Sequence, residues 1–63
     1  MLKYAIVKVS GYGRYKIYKY NDYINNYSNA NAVDLYDCFN DLDIINTMRQ
    51  YFKVSAEEVK IVK

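Results

Sequence analysis

Apolar and polar residues alternate with period two over residues 2–10, Leu-Lys-Tyr-Ala-Ile-Val-Lys-Val-Ser, and again over 14–20, Arg-Tyr-Lys-Ile-Tyr-Lys-Tyr. Both stretches are rich in β-branched and aromatic residues, and Gly11-Tyr12-Gly13 lies between them, so the pattern predicts a β-hairpin over 2–20. The turn fixes the register. A two-residue turn at Gly11-Tyr12 pairs Val9 with Arg14 and Val7 with Lys16, which mixes charge into the face expected to be buried. A three-residue loop, with Gly13 supplying a positive φ, pairs Val9 with Tyr15, Val7 with Ile17 and Ala5 with Lys19. That second register keeps the small apolar residues together and is the one expected.

Residues 21–31 hold five asparagines and a serine, side chains that compete for nearby backbone groups, and read as a polar loop in which Tyr23, Ile24 and Tyr27 have room to dock. From Ala32 the apolar residues recur at three and four: Leu35, Cys38/Phe39, Leu42, Ile45, Met48 and Phe52. This spacing predicts one helix over 32–52 with Asn31 as its N-cap and Asp34 in its first turn. The alternative is a break at Asn40-Asp41, with Asp41 capping a second helix. Glu58-Val59-Lys60-Ile61-Val62 alternates again and predicts a last strand over 58–62.

The elements add up to an α+β fold, a small ββαβ domain. A right-handed crossover from the second strand to the last makes those two parallel, with the first strand between them, giving a three-stranded mixed sheet of order 2-1-3 and a helical layer on one face. The first strand is apolar on both sides, as a central strand would be. Ala5, Val7, Val9, Ile17, Leu35, Phe39, Leu42, Ile45, Val59 and Ile61 are the expected core, and Leu42→Ala is expected to unfold the domain.

Composition narrows the classes of function. The chain has 63 residues, one cysteine and no histidine, so one small domain is expected, with no internal disulfide and too few ligands for a structural zinc site. Cores of this size are marginal, which makes help from a partner or a second copy plausible. No signal-peptide pattern and no apolar run approaching 18 residues is present, and the expected location is the cytoplasm. Tyr, Asn, Lys, Ile, Phe and Met together supply 33 of the 63 residues. All six have A/T-rich codons, so a biased genome accounts for the tyrosine count without any binding role.

Charge is split along the chain. The first twenty residues carry Lys3, Lys8, Arg14, Lys16, Lys19 and five tyrosines but no acid, and all seven acids lie between Asp22 and Glu58. In the expected register Tyr4, Lys8, Arg14, Lys16, Tyr18 and Tyr20, with Ile6, share the sheet face away from the helix, joined by Lys60 and Val62. Such a cationic, aromatic surface suits an acidic protein surface or single-stranded nucleic acid. An ordinary solvated face, held by Tyr4–Tyr20 and Ile6–Tyr18 cross-strand pairs, is the plainer account. Lys8 opposite Lys16 would be a like-charge pair, tipping the balance towards an anionic partner.

Asp34, Asp37 and Asp41 would form a stripe on the outer side of the expected helix, able to meet a basic partner or simply to be solvated. Cys38 falls on the apolar side and reads as a structural thiol with no histidine to activate it. Asp41, Asp43, Glu57 and Glu58 match no calcium-loop spacing, and no cofactor or metal site is expected. The serines have no base, and Gly11-Tyr12-Gly13 joins two strands instead of opening a helix as a phosphate loop does. The expected function is therefore non-enzymatic: docking of the basic, tyrosine-rich face on a larger protein or nucleoprotein, as an inhibitor encoded by a phage or plasmid would. The alternatives are a single-strand nucleic-acid binder and a homodimer, each using the same face.

Overall fold

A computed structural model describes residues 1–9, 13–26 and 31–62. Ser10, Gly11, Tyr12, residues 27–30 and Lys63 lie outside the described residues, and with them most of the expected three-residue loop Gly11-Tyr12-Gly13 and the docking of Tyr27. The order of elements is β1 (Tyr4–Val9), β2 (Arg14–Lys19), α1 (Tyr20–Asn26), β3 (Asp34–Asp37), α2 (Asp41–Tyr51), a 3-10 turn (Ala56–Glu58) and β4 (Val59–Val62). Among the described residues the sheet has four strands in the order β3-β2-β1-β4. The protein is a small α+β domain with a mixed sheet and two helices.

β1 lies between β2 and the last strand, as its two-sided apolarity predicts. The strand directions differ from expectation. β1 runs antiparallel to β2 but parallel to β4, and β2 is antiparallel to β3, so the crossover through α2 joins β3 to β4 across the width of the sheet. One additional strand reverses the chain once more. That strand comes from residues 34–37, a segment whose apolar spacing predicts helix.

Two regular elements thus replace expected ones. β3 fits because Tyr36 and Cys38 alternate with Leu35 and Asp37, and Tyr36 packs opposite Tyr15 beside the core. The helix starts at the expected break, but with Asn40 as the N-cap: its side chain accepts from the Asp43 N–H at 2.9 Å, while Asp43 accepts from the Phe39 N–H at 3.2 Å. α1 occupies much of the expected polar loop. Tyr20, Tyr23 and Ile24 recur at three and four, and the Tyr23 ring packs against Tyr18 with centroids 5.9 Å apart.

The hairpin takes the other register, not the expected one: Val9 pairs with Arg14, Val7 with Lys16 and Ile6 with Ile17. No charge is buried by it, because the face packed on α2 is that of Ile6, Tyr15 and Ile17, not that of Val7 and Val9. Ile6, Tyr15, Ile17, Ile44, Met48, Val54 and Val59 make the core. Tyr4 meets the Phe52 ring edge-on at 5.2 Å. Ala5 and Tyr18 are buried on the opposite face, where α1 packs against β1 and β2. Of the expected core, Ala5, Ile17 and Val59 are buried. Leu35, Phe39 and Leu42 are exposed, Phe39 at 97% and Leu42 at 65%.

Candidate functional site

Strand alternation and the observed register divide the expected basic face in two. Tyr4 and Lys8 belong to the α2 side with Tyr15 and Ile17, whereas Arg14, Lys16, Tyr18 and Lys60 lie on the outer side. Tyr20 begins α1. It lines an open pocket of about 400 Å³ together with Tyr4, Lys3, Lys19 and Asp22. The rings intended as a stacking platform are thus dispersed. Tyr18 is buried under α1, and Tyr4 is half-buried against Phe52.

The Lys8–Lys16 pair does not form either. Lys8 stands opposite Tyr15, its ammonium 5.8 Å from the centre of that ring, and Lys16 stands opposite Val7. The repulsion that favoured an anionic partner is therefore absent.

What remains together on the outer side is a row across all four strands: Val62, Val7, Lys16 and Leu35. Val7 and Val62 are half-buried, Lys16 and Leu35 exposed. Lys60 is exposed two residues before Val62 on β4, and Arg14 lies two residues before Lys16 on β2. Arg14 is engaged, since its Nε donates to Asp37 at 3.0 Å, and that hydrogen bond with the carboxylate raises its pKa further. Lys16 and Lys60 have no carboxylate partner among the described residues. The outer row is a strip of apolar side chains bordered by free cations.

Compared with known proteins, the chain matches no family model, no curated protein and no solved structure. The site is read from its own chemistry.

The acidic stripe dissolves for the same reason that the helix shortens. Asp34 and Asp37 are on β3, on opposite faces of the sheet, and Asp41 is in the first turn of α2. Each has a local structural role. Asp34 accepts from the Leu35 N–H at 2.8 Å and from the Tyr36 hydroxyl at 3.0 Å. Asp41 accepts from the Tyr15 hydroxyl at 2.9 Å. Burial first, and this carboxylate second, push the Tyr15 pKa up to about 12.

Cys38 is half-buried, with its Sγ 3.8 Å from the Thr47 hydroxyl, and it packs against the core. Among the described residues no group of three or more His, Cys, Asp or Glu side chains could hold a metal ion, and no helix is long and apolar enough to cross a membrane. Sequence reasoning missed one exposed feature altogether: Phe39 and Leu42 on the corner between β3 and α2. The helical period assigned both to the core, and no other signal in the chain contradicts it.

Proposed function

We propose that this is a non-enzymatic binding protein that docks the outer row of its sheet on an acidic surface of a larger protein or nucleoprotein and acts there by occlusion, as an inhibitor. The observation that carries the reading is the pairing of unpartnered Lys16 and Lys60 with the half-open valines Val7 and Val62 on one face. Apolar side chains at the centre of such a strip contribute burial on docking, and the flanking lysines supply orientation and a faster encounter. The partner-binding residues are then Lys16 and Lys60, with Arg14 held in place by Asp37 and with Tyr18 supporting the face from beneath α1. Single-stranded nucleic acid fits less well, because stacking needs exposed rings and Tyr4 and Tyr18 are covered. A homodimer through this face would set Arg14, Lys16 and Lys60 against their own copies.

Binding partners captured from host extract on immobilised protein test this reading when wild type is compared with the Lys16→Glu/Lys60→Glu variant. The double reversal should abolish specific capture with circular dichroism unchanged, and Asp34→Asn should leave capture intact. Capture that survives the double reversal rejects the outer face. A mobility shift of single-stranded DNA that weakens steeply with salt would replace the acidic protein partner with nucleic acid.

A further inference from the structure

The two edges of the sheet are built differently. On β3 the Leu35 N–H points away from β2, and it is already taken by the Asp34 carboxylate at 2.8 Å, whose second oxygen accepts from the Tyr36 hydroxyl at 3.0 Å. Asp37 places a second carboxylate on the same short edge. Charge and an engaged donor discourage a further strand there.

β4 carries one charge, the exposed Lys60, and no side chain among the described residues engages its outward donor. The Lys3 carbonyl accepts from the Tyr20 N–H at 2.9 Å while the Lys3 N–H donates to the Glu58 carbonyl at 2.7 Å, so within β1 the groups of Ala5 and Val7 face β2, and those of Tyr4 and Ile6 face β4. Parallel pairing of Ile6 with Ile61 then turns Lys60 and Val62 inwards. The N–H and C=O of Ile61 and the C=O of Val59 are left facing outwards, and no group among the described residues bonds to them.

We infer that the β4 edge takes up an extended segment of a partner protein, one that presents a carboxylate side chain beside Lys60 and apolar side chains beside Val59 and Ile61. The inference rests on the docking function proposed above, and it names the kind of segment the partner contributes. Backbone bonds to Ile61 supply affinity and the alternating side chains supply specificity, as in other cases where a peptide extends a sheet. Charge selects this occupant over a second copy of the chain. Antiparallel self-pairing that satisfies both Val59 and Ile61 puts Lys60 directly opposite Lys60 of the copy, in the closely spaced pair where like charges are destabilising. Shifting the register by two residues relieves that clash but sets Ile61 opposite itself and takes Val59 out of line with Ile61 of the copy. An acidic residue opposite Lys60 removes the conflict and keeps the full ladder.

A chain of 63 residues is accessible to total synthesis, which permits an N-methyl group on Ile61 alone. The side chain and the β1 ladder stay intact while the outward donor is removed. The probe is a blocked heptapeptide alternating valine with glutamate, compared with one alternating valine with lysine, and binding is followed by the amide resonances of the protein. The acidic peptide should bind, slow the exchange of the Ile61 amide and lose about tenfold in affinity on N-methylation, the equivalent of one lost bond. Lys60→Glu should reverse the preference between the two peptides.

Peptide binding that ignores N-methylation but disappears with Lys16→Glu would move the peptide to the outer row, overturning the edge while sparing the docking face. Absence of any binding by the acidic peptide would overturn the edge and leave the docking face to its own capture test. Self-association in sedimentation velocity that N-methylation abolishes would give the edge to a second copy and overturn the inference.

Discussion

At the scale of single residues, two backbone positions carry most of the local demand. Gly13 has φ +65, and a Cβ there would lie 2.5 Å from the carbonyl oxygen of Cys38, the residue whose N–H donates to the Gly13 carbonyl at 2.7 Å. Both the conformation and the close approach require glycine. Lys53 adopts φ 59 directly after the C-cap Phe52, whose N–H donates to the Met48 carbonyl at 2.9 Å, a place where glycine is the usual residue. The two sites therefore predict opposite outcomes. Gly13→Ala should cost roughly 1–3 kcal/mol, through strain and the displaced β2–β3 contact. Lys53→Gly should stabilise by up to about 1 kcal/mol, since a side chain in the left-handed region costs about that much. Chemical denaturation of both variants checks the pair, and a stability change of the same sign in each would contradict the geometry.

At the scale of elements, the shortened helix gives the sharpest mutational contrast. α2 turns Ile44 and Met48 into the core and leaves Leu42, which the sequence period assigns to the apolar face, at 65% exposure. Ile44→Ala should cost about 2–5 kcal/mol and unfold most of the protein. Leu42→Ala should change stability by no more than about 0.5 kcal/mol, as exposed positions do. Thermal melts that rank the two the other way would place α2 in a different rotation. The same comparison shows what was legible in the chain. The hairpin strands, the last strand, the central position of β1 and a helix running to the low fifties follow from periodicity, because the alternation around Ile6, Ile17 and Val59 and the spacing of Ile45, Met48 and Phe52 are local signals. Residues 34–37 were not legible. Leu35, Cys38, Phe39 and Leu42 fit the helical period as well as a strand, and only the free edge of β2, a tertiary feature, decides between them. α1 was hidden by its asparagines and is held by the Tyr18–Tyr23 contact. Register was the costliest error. A shift of one residue moved Tyr4, Ile6 and Lys8 to the other face and so split the expected basic surface.

At the scale of the whole molecule, two of the side-chain links between distant segments have pH windows of their own. Lys3 and Glu58 meet at 2.8 Å, joining the entry to β1 with the turn before β4, and Tyr15 joins β2 to the start of α2 through Asp41. The Lys3 ammonium first, with the Ser55 N–H at 3.0 Å next, holds the Glu58 pKa down to about 2 from its ordinary 4.5. Unfolded, this carboxylate takes up its proton at the higher pH, so its contribution is present above pH 4.5 and is lost as the pH falls towards 2. Tyr15 behaves in the opposite sense. Its pKa rises from 10.0 to about 12 on folding, so its contribution is complete below pH 10 and disappears as the pH climbs to 12. Glu58→Gln should therefore flatten the acid limb of the stability profile, and Tyr15→Phe the alkaline limb. The Glu58 effect should shrink in high salt, because the pair is partly exposed and screened, whereas the buried tyrosine should respond little. Melting temperatures recorded from pH 2 to pH 12 at low and high salt test both links. An acid limb unchanged by Glu58→Gln would mean that the closure of β4 onto the sheet depends on Val59 and its core contacts and owes nothing to the ion pair.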